Sequence, residues 1–285
     1  MSQIKTGLWK EWLFLSRSLK FLGLALAFII ASLMNPVLTK LMLLMGDLYE
    51  DMPGMEDMGA MLTTFEGEGG LFYSYISTIG MFSMSFLPPM VLVIVMLLFG
   101  GACGGEQKKR SIILPQTMGL TPSGYVLPKF ILFPTIVFMF TFLSLALTNV
   151  VCGLLLGYSY SSEIIITTGV LTSSSITFLL CLYMFFGISL AQPRMAIIYV
   201  LAANAVFPAI NMIFNLDRFT PWSLEIMSAG IINNQLSGYD IYEGIGRGNV
   251  VITVIITLVL CLVLVGLTLF SIKAKQMDNT ADEIY

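Results

Sequence analysis

The sequence predicts an all-α membrane protein, a single transmembrane domain over residues 1–285 that crosses the bilayer six times. Of its residues, 57% are apolar and only 11% are charged, whereas soluble domains carry about 25% charged residues. Six apolar stretches are long enough to cross the hydrocarbon core, which takes about 20 helical residues. Because backbone groups in lipid must be hydrogen-bonded internally, and no alternating barrel-type pattern occurs, these stretches are predicted to be helices.

The predicted spans cover residues 21–45, 76–103, 130–156, 164–190, 195–214 and 250–271. The second contains Pro88 and Pro89, which predict a kink because proline removes a helical hydrogen bond. No charged residue falls at the centre of any predicted span. This argues against a carrier that couples to protons or ions through buried carboxylates.

The distribution of basic residues predicts the orientation. Eleven of the 14 lysines and arginines lie in the N-terminal segment, in the segment 104–129, at Arg194 and in the C-terminal tail. Basic residues concentrate on the cytoplasmic side of a membrane. Both termini and the segment 104–129 are therefore expected to be cytoplasmic, in a multi-pass protein of the cytoplasmic membrane.

Two segments outside the spans are predicted to contain short helices. Residues 1–18 mix apolar and basic side chains and include Trp9 and Trp12, which is typical of an interfacial helix. An ordinary first turn of the span is the alternative. Residues 216–249 are too polar to span and form an outer loop, in which Thr220-Pro221 predicts a helix start. An extracellular loop without such helices is the alternative there.

Several classes of function are disfavoured by what the sequence lacks. It contains no histidine, and its four cysteines are not spaced as metal pairs. No phosphate-binding loop of the type Gly-x-x-x-x-Gly-Lys-Ser/Thr is present, and the glycine cluster at 100–105 lacks the Lys-Ser/Thr. A net charge of −3 gives no support for nucleic-acid binding. We therefore expect neither an enzyme nor a bound cofactor or metal.

The segment 104–129 is the longest predicted cytoplasmic loop. It opens with a charged cluster, continues through a short apolar run at 112–114, turns at Pro122 and ends at a lysine where the third span begins. The cluster and the final lysine are formed by Glu106, Lys108, Lys109, Arg110 and Lys129. Such a loop can lie along the membrane surface and present a compact helical surface to a cytoplasmic partner.

In this loop and in its six-span layout, the chain resembles the ABC-2 type permeases, the membrane subunits of ATP-driven exporters. The resemblance implies a dimer with a second copy or a related permease, and separate ABC ATPase subunits that bind ATP and Mg²⁺. It also implies that the loop is a coupling helix that contacts the ATPase. The residues assigned to this contact are Glu106, Lys108, Lys109, Arg110, Pro122 and Lys129. A loop whose charges only set the topology is the alternative.

Other features leave their interpretation open. Candidates for lining a transport path are Asn149, Ser174, Asn204 and Asn211, although polar groups in spans more often bond between helices. The run Met52, Met55, Met58 and Met61 suits Cu(I) or forms an amphipathic turn. The rival functions are a secondary carrier and a non-transporting sensor or scaffold. The sequence indicates neither the transported substrate nor the direction of transport.

Overall fold

The computed structural model describes residues 2–50, 92–105, 121–157, 160–214, 219–236 and 240–282, and it contains no β-strand within them. The described elements in chain order are α1 (Ser2–Arg17), α2 (Leu19–Glu50), α3 (Leu92–Phe99), a π-helical segment (Gly101–Gly105), α4 (Pro122–Leu156), α5 (Ser162–Leu190), α6 (Pro193–Phe214), α7 (Ser223–Leu236) and α8 (Arg247–Asp282). The prediction of an all-α fold is confirmed for this part of the chain.

Three of these helices are long and apolar enough to cross a membrane: Pro122–Leu156, Ser162–Leu190 and Arg247–Ala274. They contain the predicted spans 130–156 and 164–190 and the predicted span 250–271. A fourth span results if Gln3–Arg17 and Leu19–Met34, which meet at an angle of 68°, are counted together.

The remaining predicted spans are shorter in the structure or lie outside the described residues. Helix α6 contains a shorter apolar stretch, Pro193–Phe207, and α7 contains another, Ser223–Ile232. Most of the predicted second span, including Pro88 and Pro89, lies outside the described residues. The structure thus provides three to four candidate spans, and six spans remain a prediction.

Helix α4 begins at Pro122 rather than near residue 130, so it includes the end of the predicted loop. The reason is local. Thr121 has extended backbone angles, its side chain accepts a hydrogen bond from the Gly124 amide at 3.1 Å, and proline occupies the first helical position. This combination of cap and proline is a strong helix start. The helix ends where Gly157 adopts a left-handed conformation with φ 79°.

Helix α5 lies at the centre of the described fold. Its apolar window is 78% buried within the protein, against 39% for α4 and 17% for α8. It packs against α3, α4, α6, α7 and α8. Its buried face is rich in hydroxyl groups, including Thr168, Thr172 and the serines at 173–175. Small hydroxyl-bearing residues allow close approach and hydrogen bonding between helices.

Hydroxyl groups also join α2 to α4. The side chains of Ser32 and Ser144 are hydrogen-bonded at 2.6 Å, and both are buried. Ser144 donates to the Phe28 carbonyl at 3.1 Å, and Thr148 donates to the Ser32 carbonyl at 3.3 Å. These contacts fix the register of the two helices from Phe28 to Ser32, because a shift along the helix axis would break all three.

Candidate functional site

Helix α1 is docked on the first turns of α4. Its contact face is formed by Gly7, Glu11 and Leu15, which recur every four residues and therefore share one side of the helix. Glu11 and Leu15 are buried, whereas Trp9 and Trp12 are exposed on other sides. At Gly7 the approach is so close that an added Cβ would lie 2.5 Å from Pro128 Cγ. Only glycine allows this packing distance.

A buried ion pair lies at the middle of this contact. Lys129 Nζ is 2.8 Å from Glu11 Oε1, and the two side chains are 0% and 4% exposed. The ammonium group also lies 4.7 Å from the centre of the Tyr125 ring. Removing two charges from water is unfavourable unless they are paired with good geometry. The pair therefore ties α1 to one register on α4.

The other end of α1 contacts the residue that caps α4. The Thr121 hydroxyl donates to Gln3 Oε1 at 2.8 Å, and the Thr121 amide donates to the same oxygen at 3.3 Å. The contact of Gln3 with Thr121 and the ion pair of Glu11 with Lys129 are therefore two polar attachments, one on each side of the close approach at Gly7. Residues 121–129, the end of the predicted coupling loop, are thus held by the N-terminal helix. We call this contact the α1–α4 junction.

The structure places the predicted ATPase-contact residues only in part. Pro122 is the first residue of α4, and Lys129 belongs to the α1–α4 junction. Glu106, Lys108, Lys109 and Arg110 lie outside the described residues, as does the run of methionines at 52–61.

The predicted path-lining residues occupy separate places. Asn149 Oδ1 accepts a hydrogen bond from the Tyr160 amide at 2.9 Å, which bridges the connection between α4 and α5. Ser174 is buried in α5, and Asn204 is half-buried in α6. The side chain of Asn211 lies outside the described part. Asn149 thus has a visible structural role, and a shared path for the other residues stays a prediction.

A second polar contact joins α5 to α7. Ser175 Oγ donates to Glu225 Oε1 at 3.0 Å, and the hydroxyl groups of Thr172 and Ser228 are 3.4 Å apart. Ser175 is the fourteenth of the 29 residues of α5. At about 1.5 Å per residue it lies about 20 Å from either helix end. The first turn of α7 is therefore packed against the middle of α5.

Aromatic rings surround the start of α7. The Trp222 ring stacks on Phe207 of α6 with centroids 4.4 Å apart, and it meets Phe178 of α5 edge-on at 5.2 Å. Trp222 precedes Glu225 by three residues, so the Trp222 ring and the carboxylate lie close together along the chain. We call Phe178, Phe207, Trp222 and Glu225, with Ser175, the α5–α7 cluster.

Sequence reasoning missed the roles of two carboxylates. Glu11 was one polar residue among several on the N-terminal helix, although its spacing from Gly7 and Leu15 marks the buried face. The sequence predicts that Glu225 lies in a polar outer loop, but the structure places it against the middle of α5. The available signal was that residues 223–232 are apolar apart from Glu225 and two serines.

No family model, no curated protein and no solved structure matches this chain. A functional proposal is therefore supported by the residues themselves and by the geometry described above.

Proposed function

We propose that the chain is the permease subunit of an ATP-driven ABC-2 type exporter in a cytoplasmic membrane. It forms a translocation path with a second copy or a related permease. It binds separate ATPase subunits through the loop between its second and third predicted spans. Hydrolysis of ATP takes place in those partners, since this sequence has no phosphate-binding loop.

The α1–α4 junction is the observation that carries this proposal. A force applied to the loop by an ATPase reaches residues 121–129 first, because they follow the loop directly and form the cap and first turns of α4. There the buried pair of Glu11 and Lys129, together with the close packing at Gly7, makes α1 and α4 move as one body. A loop that only sets topology has no need for such a rigid attachment.

The transport step then follows from differential binding. An ATPase that closes on ATP binds one arrangement of the permease more tightly than the other, and this difference shifts the population between inward-open and outward-open states. The long helix α4 carries the movement of the junction to α5, against which it packs.

Copurification with an ATPase encoded beside this chain tests the proposal. The loop variant reverses Lys108, Lys109 and Arg110 to Glu, and the matched control reverses Lys273 and Lys275, two basic residues of the C-terminal tail. We expect the wild type and the tail control to retain the ATPase and the loop variant to lose it, with all three inserted equally in the membrane. Equal retention by the loop variant would refute the loop as the contact.

A secondary carrier is the second candidate. Such a carrier needs a carboxylate within the membrane, and Glu225, which the sequence predicts in a polar outer loop, is a candidate for it. Glu225 lies beside the middle of α5, where a coupling group of a carrier would lie. The two functions differ in their energy source. Transport that persists in vesicles without ATPase or ATP, and that follows a proton or sodium gradient, favours the carrier. Transport that requires ATP and the partner favours the exporter.

A further inference from the structure

Glu225 occupies a position that a carboxylate rarely takes. Ser175 lies at the middle of α5, and its hydroxyl donates a hydrogen bond to Glu225. In a bilayer spanned by α5, Glu225 therefore lies near the middle of the hydrocarbon layer. Leu224, Met227 and Ser228 on α7 are buried, whereas Ile226 is 50% exposed. Glu225 itself is half-buried, so part of its surface is accessible.

The surface that Glu225 faces is unsuited to lipid. Acidic groups at the centre of a membrane face a bundle interior or a water-filled cavity, because exposure to hydrocarbon is costly. The side of α7 that bears Glu225 therefore borders protein or water. In a permease dimer, such a surface at mid-membrane depth lies against the second subunit or borders the translocation path.

The environment of Glu225 suits a cation. Within the described part of the chain its one polar contact is the Ser175 hydroxyl, and no lysine or arginine forms an ion pair with it there. Its neighbours in the α5–α7 cluster are aromatic, and Phe207 is 41% exposed. A carboxylate beside aromatic rings attracts an organic cation through its charge and through the ring quadrupoles.

We propose that the α5–α7 cluster binds the positively charged group of an amphipathic molecule. The Glu225 carboxylate neutralises the charge, the Ser175 hydroxyl holds that carboxylate in place, and Trp222 and Phe207 contact the apolar part of the molecule. That the molecule is cargo rests on the proposed transport function, whereas its binding to the cluster does not.

The test uses Trp222 as the reporter. The chain contains three tryptophans, and replacing Trp9 and Trp12 with Phe leaves Trp222 as the single one. The purified full-length chain in lipid nanodiscs is titrated with tetraphenylphosphonium, a lipophilic cation. Tetraphenylborate, an anion of the same shape and size, is the control ligand.

We expect a saturable change in Trp222 fluorescence with tetraphenylphosphonium and no saturable change with tetraphenylborate. Glu225→Gln should raise the dissociation constant at least about tenfold, and Glu225→Asp should retain most of the affinity. Glu163→Gln is the matched control, because Glu163 is 54% exposed at the start of α5, where it pairs with Arg247. Equal affinity of the Glu225→Gln and Glu163→Gln variants, or equal binding of the anion, overturns the proposal.

A second measurement needs no variant. A lipophilic carbodiimide modifies carboxyl groups in apolar surroundings, and mass spectrometry identifies the modified residue. We expect tetraphenylphosphonium to protect Glu225 of the wild-type chain from modification, and an absence of protection at saturating ligand contradicts the site.

These results are separable from those on the proposed function. A chain that binds the cation through Glu225 but has no ATPase partner refutes the exporter and leaves the site intact. A chain that binds its ATPase but shows no binding that depends on Glu225 refutes the site alone.

Discussion

Breaking the ion pair between Glu11 and Lys129 should be far more destabilising than removing both charges together. The perturbations are Glu11→Gln, Lys129→Met and the double variant. Both side chains are almost fully buried at a separation of 2.8 Å. Each single change removes the closest ion-pair partner of a buried charge, which costs about 3–5 kcal/mol. The double variant removes both charges and should lose much less than the sum of the two single losses.

The structure supplies an internal control for this prediction. Lys10 lies 3.7 Å from the same carboxylate, but its side chain is 56% exposed. Exposed ion pairs contribute about 0–1 kcal/mol. Lys10→Gln should therefore have a small effect, although it removes the same type of charge from the same helix.

The assay is a double-mutant cycle on the free energy of unfolding. Helix content is followed by circular dichroism as a denaturing detergent is titrated into mixed micelles. We expect a coupling energy between Glu11 and Lys129 of about 3 kcal/mol, because the second substitution removes the buried charge whose closest ion-pair partner the first had already removed. Losses that are additive to within about 0.5 kcal/mol, or a Lys10→Gln loss as large as that of Lys129→Met, would refute the reasoning.

Two further predictions test the packing of the helices. Gly7→Ala should destabilise the chain by about 1–3 kcal/mol, because the new Cβ would lie 2.5 Å from Pro128 Cγ. In the same unfolding titration the control Gly266→Ala should be close to neutral, since an added Cβ there has nothing within 4 Å. Equal losses of stability in the two variants would contradict the close approach at Gly7. Helices α5 and α8 pack against each other, and Cys181 of α5 and Cys261 of α8 are neighbours in this contact, so iodine oxidation should join them. Thiol titration after denaturation should then fall from four groups to two, and four remaining thiols would show that these helix faces do not meet.

The positions of the long helices along the chain were predictable from the sequence wherever hydrophobicity determines them. The stretches 130–156, 164–190 and 250–271 are apolar over more than 20 residues, and each lies within one long helix. The start of α4 could also have been found, since Thr121 followed by Pro122 is a recognisable helix cap. Hydrophobicity alone places this boundary near residue 130, because the charged residues of the segment 104–129 lower its mean hydropathy.

The sequence on its own determined that this chain is helical and contains segments long and apolar enough for a membrane, because composition and run length act locally. Only the tertiary structure decided which helix is central. Helix α8 is more apolar than α5, yet α5 is the buried one. Hydrophobicity favours the insertion of a helix in lipid whichever side of the helix is apolar. The packing of one helix against another depends instead on small and hydroxyl-bearing residues that contact each other.

The pairing of polar groups that are distant in the sequence was likewise decided by the fold. Glu11 and Lys129 are 118 positions apart, and Ser175 and Glu225 are 50 apart. No local pattern specifies either contact, because each depends on how two helices pack side by side. The sequence supplied the carboxylates, and the packing of α1 on α4 and of α7 on α5 determined what they contact.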